Sequence, residues 1–188
     1  DENKKLCFVN FGDIKTSHDL CVLEAQKSSV VYVDKPFDLI ITSSAGYPLD
    51  KTYYQTIKGI ITPLEILKKQ GKLLIFSECS EGFGSEEFFI SQKKLFNLGI
   101  DEFINYVSNG TTANVDEWQT VMLLRALKNY SVSGYLGNLS EDFNEYTCIN
   151  RIYDFNLFLK ELIQNDTHSI SKIAIIPEGP YVIPRIAK

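Results

Sequence analysis

The sequence predicts an α/β fold: a Rossmann-like layered structure with a mostly parallel central sheet and helices on both faces. Three observations carry this. Short apolar runs at 37–42, 72–77 and 172–176 have the length and branched composition of strands buried on both faces. Stretches of helical period lie between them. Strand and helix alternate along the chain, and that alternation calls for crossover connections and parallel pairing.

The elements follow in order. Leu6 to Phe11 reads as a strand, and a short helix follows Gly12 and Asp13, passing through His18 to Gln26. Phe37 to Thr42 is a compact apolar run bounded by Pro36 and Ser43. From Thr52 the period changes: Ile57, Ile60, Ile61, Leu64 and Leu67 follow helical spacing, with Gly71 as the C-cap. Pro63 lacks an amide donor and kinks or splits that helix. Lys72 to Ser77 is the next buried strand. Ser85 is an N-cap with Glu86 and Glu87 in the first turn, and its helix ends near Leu98 and Gly99. Asp116 starts another helix, with Gln119 at the capping-box position and Leu124 and Leu127 facing the core. A strand at 133–136, a helix at 154–164 and a strand at 172–176 complete the order. The segment from Ser108 to Val115, rich in Asn, Gly and Thr, reads as linker-like.

A length of 188 residues suits one domain spanning 1–188 with a sizeable core. The net charge of -5 speaks against a nucleic-acid partner, which calls for a basic face. No apolar run approaches the roughly 20 residues of a membrane span, and the N-terminus has no signal-peptide pattern. Cys7, Cys21, Cys79 and Cys148 are scattered with no Cys-x-x-Cys pair, which fits a cytoplasmic protein with reduced thiols. The first residue is Asp1 and not methionine, which fits a chain that is processed, tagged or cut from a longer protein.

Two blocks stand where a buried strand gives way to a helix: Ser44-Ala45-Gly46-Tyr47-Pro48-Leu49-Asp50 and Glu78-Cys79-Ser80-Glu81-Gly82-Phe83-Gly84-Ser85. Ligands of open α/β sheets bind at that edge. Gln55 and Lys58 share one helix face, bordered by Tyr54. An ammonium beside an amide suits a carboxylate, since the charge attracts it and the amide orients it. A solvated helix face is the plainer reading of the same spacing. Trp118, the only tryptophan, falls in the first turn of its helix at the same edge. Tyr47, Glu78, Cys79, Ser80 and Glu81 are candidate cleft-lining residues. The glycines of the second block do not make a phosphate loop: the lysine of G-x-x-x-x-G-K-[ST] and the third glycine of G-x-G-x-x-G are both absent. His18 and Cys21 are two ligands at best, too few for a zinc site. His168 reads as a solvated loop residue, and the sequon Asn138-Leu139-Ser140 carries no weight without a secretory signal.

The blocks together resemble the C-terminal domain of the nickel-pincer lactate racemase family, which comprises 2-hydroxyacid racemases and epimerases. That family carries Ser-Ala-Gly-Gly-Tyr-Pro-x-Asp, then Tyr-Gln-x-x-Lys, then Glu-Cys-x-Glu-Gly-x-Gly-Ser-Glu. Here the first block departs by one of its paired glycines, the others match, and Pro177-Glu178-Gly179-Pro180-Tyr181 extends the likeness. The resemblance implies that Lys58 and Gln55 act in catalysis on the substrate, and that Tyr54 and Trp118 contact substrate or cofactor. It also implies a nickel-pincer nucleotide, a hydride passed from the 2-hydroxyacid and returned to the opposite face, and histidines serving as bases and metal ligand. Those histidines belong to an N-terminal catalytic domain. With only His18 and His168, neither in such a motif, this chain cannot supply both bases and the ligand. The expectation is a partial racemase: no metal or cofactor bound by this chain alone, no turnover alone, and an N-terminal domain as partner, in the same polypeptide or as a split subunit. The alternative is a non-catalytic α/β module that binds a ligand or a protein.

Overall fold

The computed structural model describes residues 6–166 and 170–187. In chain order the elements are α1 (Ile14–Ser29), β1 (Val30–Val33), β2 (Phe37–Ser43), α2 (Tyr53–Ile61), β3 (Leu67–Ser77), α3 (Glu86–Leu98), α4 (Ile100–Asn109), α5 (Glu117–Leu127), β4 (Ser131–Leu136), β5 (Asn150–Arg151), α6 (Phe155–Asp166), β6 (Ile173–Ile176) and β7 (Ile183–Ile186), joined by loops and short 3-10 turns.

Five strands form one sheet in the order β5-β4-β3-β2-β6, and every pairing in it is parallel. Ile40 lies level with Leu73 on one side and Ala174 on the other. The chain steps outward from β2 through β3 and β4 to β5, then returns through α6 to place β6 on the far side of β2. The order therefore reverses between β2 and β6, and it is beyond the carboxyl ends of the strands that such a sheet accepts ligands. Strands β1 and β7 pair in parallel as a separate two-stranded ribbon.

The apolar runs of β2 and β3 are continuous because both sheet faces are covered there. Strand β6 lies at the edge with Ile173 and Ile175 exposed, so the expected burial of 172–176 does not hold. Ile40, Leu73, Ile75 and Val132 pack with Ile57 and Ile60 of α2 and with Leu123 and Ala126 of α5 in one buried cluster. Burying each such aliphatic side chain stabilises the fold by about 1.5–3 kcal/mol. On the opposite face Phe76 meets Phe155 of α6 edge-on at 5.2 Å and Tyr135 at 5.8 Å. Helix α1, by contrast, has no buried residue.

Several local expectations are corrected. Residues 6–11 form no strand, and Phe11 is 99% exposed: branched and aromatic residues make a strand only where an edge can pair with them. The helix from Thr52 stops at Ile61, and Pro63 opens a 3-10 turn at Thr62–Ile66. Leu67 already belongs to β3, so Gly71 is a strand residue and not a C-cap. Periodicity cannot see that Leu67 pairs with Phe37, an interaction across thirty residues of sequence. Helix α4 follows Gly99 directly and takes up the start of the linker-like segment, leaving 110–116 as the loop. Strands β1, β5 and β7 are too short to announce themselves by pattern. His168 lies outside the described residues.

Candidate substrate-binding site

The two sequence blocks are the loops that leave β2 and β3, and the backbone zips them together. Cys79 N–H donates to Asp50 O at 2.8 Å, Glu81 N–H to Lys51 O at 2.7 Å, Tyr53 N–H to Gly82 O at 3.0 Å and Tyr54 N–H to Phe83 O at 2.9 Å. The first amides of a helix have no acceptor within it, so the second loop supplies what α2 lacks. The Thr52 hydroxyl caps Gln55 N–H at 3.3 Å. The second loop is also tied to the exit of β4, where Asn138 N–H donates to Glu78 O at 2.7 Å. Gly84 makes the close approach possible: at φ +135° a Cβ there would stand 2.8 Å from Tyr54 Cβ.

Tyr54 is the centre of the site. Its ring meets Phe88 edge-on at 5.1 Å and Trp118 edge-on at 6.1 Å, and Lys58 Nζ lies 5.9 Å from its centroid. The Gln119 amide donates to Tyr54 O at 2.7 Å. The phenol donates to Asp116 Oδ1 at 3.3 Å, while Ser85 Oγ donates to Asp116 Oδ2 at 2.6 Å. Partial burial raises the phenol pKa, the Asp116 charge and hydrogen bond add to this, and the Trp118 indole works against it. Gln55 and Lys58 lie one turn apart and are half-buried. Among the described residues, neither the Gln55 amide nor the Lys58 ammonium has a hydrogen-bond or ion-pair partner.

The other candidates take different places. Tyr47 is 80% exposed, with Lys51 Nζ 5.2 Å from its ring. Lys51 pairs in turn with Glu81, whose carboxylate raises the lysine pKa. Glu78 is exposed; its N–H donates to Asp50 Oδ2 at 3.3 Å, and its carboxylate accepts from the Asn138 amide. Ser80 is exposed. Cys79 turns inward: it is fully buried, with Sγ 3.4 Å from Ser77 Oγ and 3.5 Å from Thr56 Oγ1, and burial pushes its thiol pKa up. Its side chain therefore does not line the cleft.

Asp116 does not cap α5 through its side chain. It adopts a left-handed backbone at φ 57°, and its carboxylate turns to Ser85 and Tyr54. The Gln119 side chain likewise serves Tyr54 rather than a capping box. Asp116 and Lys51 were not anticipated as parts of the site. The only signal for Asp116 was its place two residues before Trp118 at the end of a polar loop. Among the described residues no group of three or more His, Cys, Asp or Glu is placed to hold a metal ion. His18 lies exposed on α1 with Nδ1 3.4 Å from Asp19.

Residues 33–184 match the family model described as the lactate racemase C-terminal domain. The chain belongs to that family. It is 32% identical over 155 residues to a lactate racemase of Thermoanaerobacterium thermosaccharolyticum, covering 80% of this chain and 35% of that protein. To the lactate racemase of Lactiplantibacillus plantarum it is 29% identical over 138 residues, 70% of this chain and 31% of that one. The chain thus spans about a third of the length of these curated relatives. Among solved structures, the lactate racemase apoprotein from T. thermosaccharolyticum superposes with a TM-score of 0.78 at 28% identity, covering 90% of this chain and 40% of the other. A Thermotoga maritima protein, 13% identical with a TM-score of 0.56 over 93% of this chain and 42% of its own, shares the fold. No helix among the described residues is long and apolar enough to cross a membrane.

Proposed function

We propose that this chain is the C-terminal part of a lactate-type 2-hydroxyacid racemase or epimerase, and that the Tyr54–Lys58 face of α2 binds the substrate carboxylate. One observation carries the reading. On a protein of net charge -5, Gln55 and Lys58 stand half-buried at a ligand-accepting sheet edge without hydrogen-bond or ion-pair partners among the described residues. A half-buried ammonium with no anion beside it in the chain is free to take one from outside. A carboxylate is such an anion, with Lys58 supplying charge and Gln55 fixing orientation. Tyr54 and Trp118, set edge-on to one another, supply the aromatic surfaces that a small hydroxyacid or a cofactor ring packs against.

Taking hydride from the carbon of either enantiomer also requires a base for the hydroxyl proton, one for each hand of the substrate. In this reading the histidine bases, and the nickel-pincer nucleotide implied by the family, lie on a second domain. Among the described residues the donor set does not fit metal ligation. What Tyr54 and Trp118 offer such a cofactor is contact. The chain alone binds substrate weakly and turns over none.

The test is an isotope-edited NMR titration of the 188-residue chain with D- and L-lactate. Shifts should concentrate at Tyr54, Gln55, Lys58 and Trp118, and disappear in Lys58→Ala. Lactate leaving these signals unmoved would overturn the proposal. Binding of a protein segment there instead would favour a non-catalytic module.

A further inference from the structure

Asp116 has no side-chain role in starting its own helix, although it occupies the N-cap position. It also holds a left-handed backbone, an uncommon conformation for a residue with a side chain, tolerated best by Asn and Asp. Such local strain is retained where the surroundings fix it, and here they do. Its carbonyl accepts from Gln119 N–H at 3.1 Å, and Oδ2 accepts from Ser85 Oγ at 2.6 Å. Ser85 is fixed in turn, because its oxygen caps α3 by accepting Phe88 N–H at 3.2 Å. The remaining carboxylate oxygen receives the Tyr54 phenol at 3.3 Å. Tyr54 is thereby held at its backbone by Gln119 and at its ring tip by Asp116, with Trp118 against its edge and Lys58 beside its face.

We propose that Asp116 is the positioning residue of this cleft: anchored by Ser85, it clamps the Tyr54 phenol and so fixes the ring against which Lys58 and Trp118 are set. The inference rests on the carboxylate-binding reading above and adds a residue to it. Asp116 touches no substrate. It acts through Tyr54, whose phenol it keeps as a hydrogen-bond donor. Without it the ring is free to rotate, and the ammonium loses its fixed neighbour.

Trp118 makes the clamp observable, because it is the only tryptophan and lies edge-on to Tyr54. Ionised Tyr54 quenches indole emission at this distance. The charged groups set about the phenol are Asp116, on the loop entering α5, and Lys58, on α2; the facing Gly84 and Phe88 carry no charge. The experiment titrates Trp118 fluorescence with alkali in the full chain, alongside Tyr54→Phe, Asp116→Asn and Asp116→Gly, within the pH range where melting curves show each protein folded. Tyr54→Phe identifies the quenching phase by removing it. Asn keeps an acceptor and suits the left-handed backbone, so Asp116→Asn should stay folded while the midpoint moves to lower pH. Asp116→Gly keeps the backbone conformation without the clamp, and should weaken lactate binding severalfold, whereas Asp116→Asn stays within about twofold of wild type. An unmoved midpoint in Asp116→Asn, or wild-type lactate affinity in Asp116→Gly, overturns the positioning role while leaving the carboxylate site standing. Wild-type chain that binds no lactate overturns the carboxylate reading and the positioning role with it, whatever the midpoint does.

Discussion

Replacing Lys58 by Ala separates recognition from stability. Among the described residues the ammonium makes one interaction, with the Tyr54 ring at 5.9 Å. That distance is at the outer limit for a cation–π contact, so its loss should cost about 0.5 kcal/mol. A half-buried site without an ion pair adds no further penalty on truncation. With substrate present the balance changes, because a hydrogen bond to a charged group contributes about 1.5–3 kcal/mol. Converted at about 1.4 kcal/mol per decade, the variant should lose roughly ten- to hundredfold in affinity, and in turnover per unit substrate wherever the chain works with a catalytic partner domain. Gln55→Ala should weaken binding in the same direction by less, since a neutral partner is lost. The assay is the lactate dissociation constant of wild type and both variants, followed by racemisation of a panel of 2-hydroxyacids in the two-domain enzyme, with denaturation curves alongside. Wild-type affinity and turnover in Lys58→Ala would refute the reasoning. So would a large fall in stability, because the ammonium would then have a structural partner.

Further outcomes follow from the packing. Gly84→Ala should destabilise by about 1–3 kcal/mol, since φ +135° and a Cβ 2.8 Å from Tyr54 Cβ leave no room, and urea denaturation would register it. Tyr53→Phe should cost about 1–3 kcal/mol, because the fully buried hydroxyl donates to Thr147 O at 2.6 Å and its loss strands that carbonyl. Asp38 binds Lys68, Ser171 and the Lys172 N–H, and these hold its carboxyl well below the usual carboxylate range. A depressed folded-state pKa stabilises fully above the unfolded value of about 4 and less as pH falls through the folded one. Stability of the wild type should therefore decline below about pH 4 more steeply than that of Asp38→Asn, as read from pH-dependent melting.

What the sequence made legible was what local pattern determines. The strands at 37–42 and 72–77, the Ser85 cap and the stop at Gly99 all rest on residues read within one turn or one run, and the fold carries them. The run at 172–176 holds a strand too, but an edge one with Ile173 and Ile175 exposed rather than a buried one. The failures at 67–71, Asp116 and Cys79 each involve a partner distant in sequence. Residues 67–71 have a helical look, yet they are a strand because Phe37 lies beside them. Asp116 has the look of a cap, yet its carboxylate is taken by Tyr54 and Ser85. Cys79 lies in a polar block but turns inward, with a left-handed backbone at φ 52° and hydroxyls below it. The grouping of Tyr54, Lys58 and Trp118 was suggested by motif spacing; the pairing of the loops that carries Tyr54 was not visible at all.

That pairing has a consequence for how substrate choice can drift. Because main-chain amides and carbonyls join the two loops, their spacing is indifferent to which side chains they carry. Tyr47, Ser80 and Glu81 project from this frame into solvent. Exchanging them should therefore remodel the rim of the cleft without unmaking it, whereas Gly84 admits no exchange. Under the proposed function, a directed library aimed at other hydroxyacids should begin at these tolerant positions.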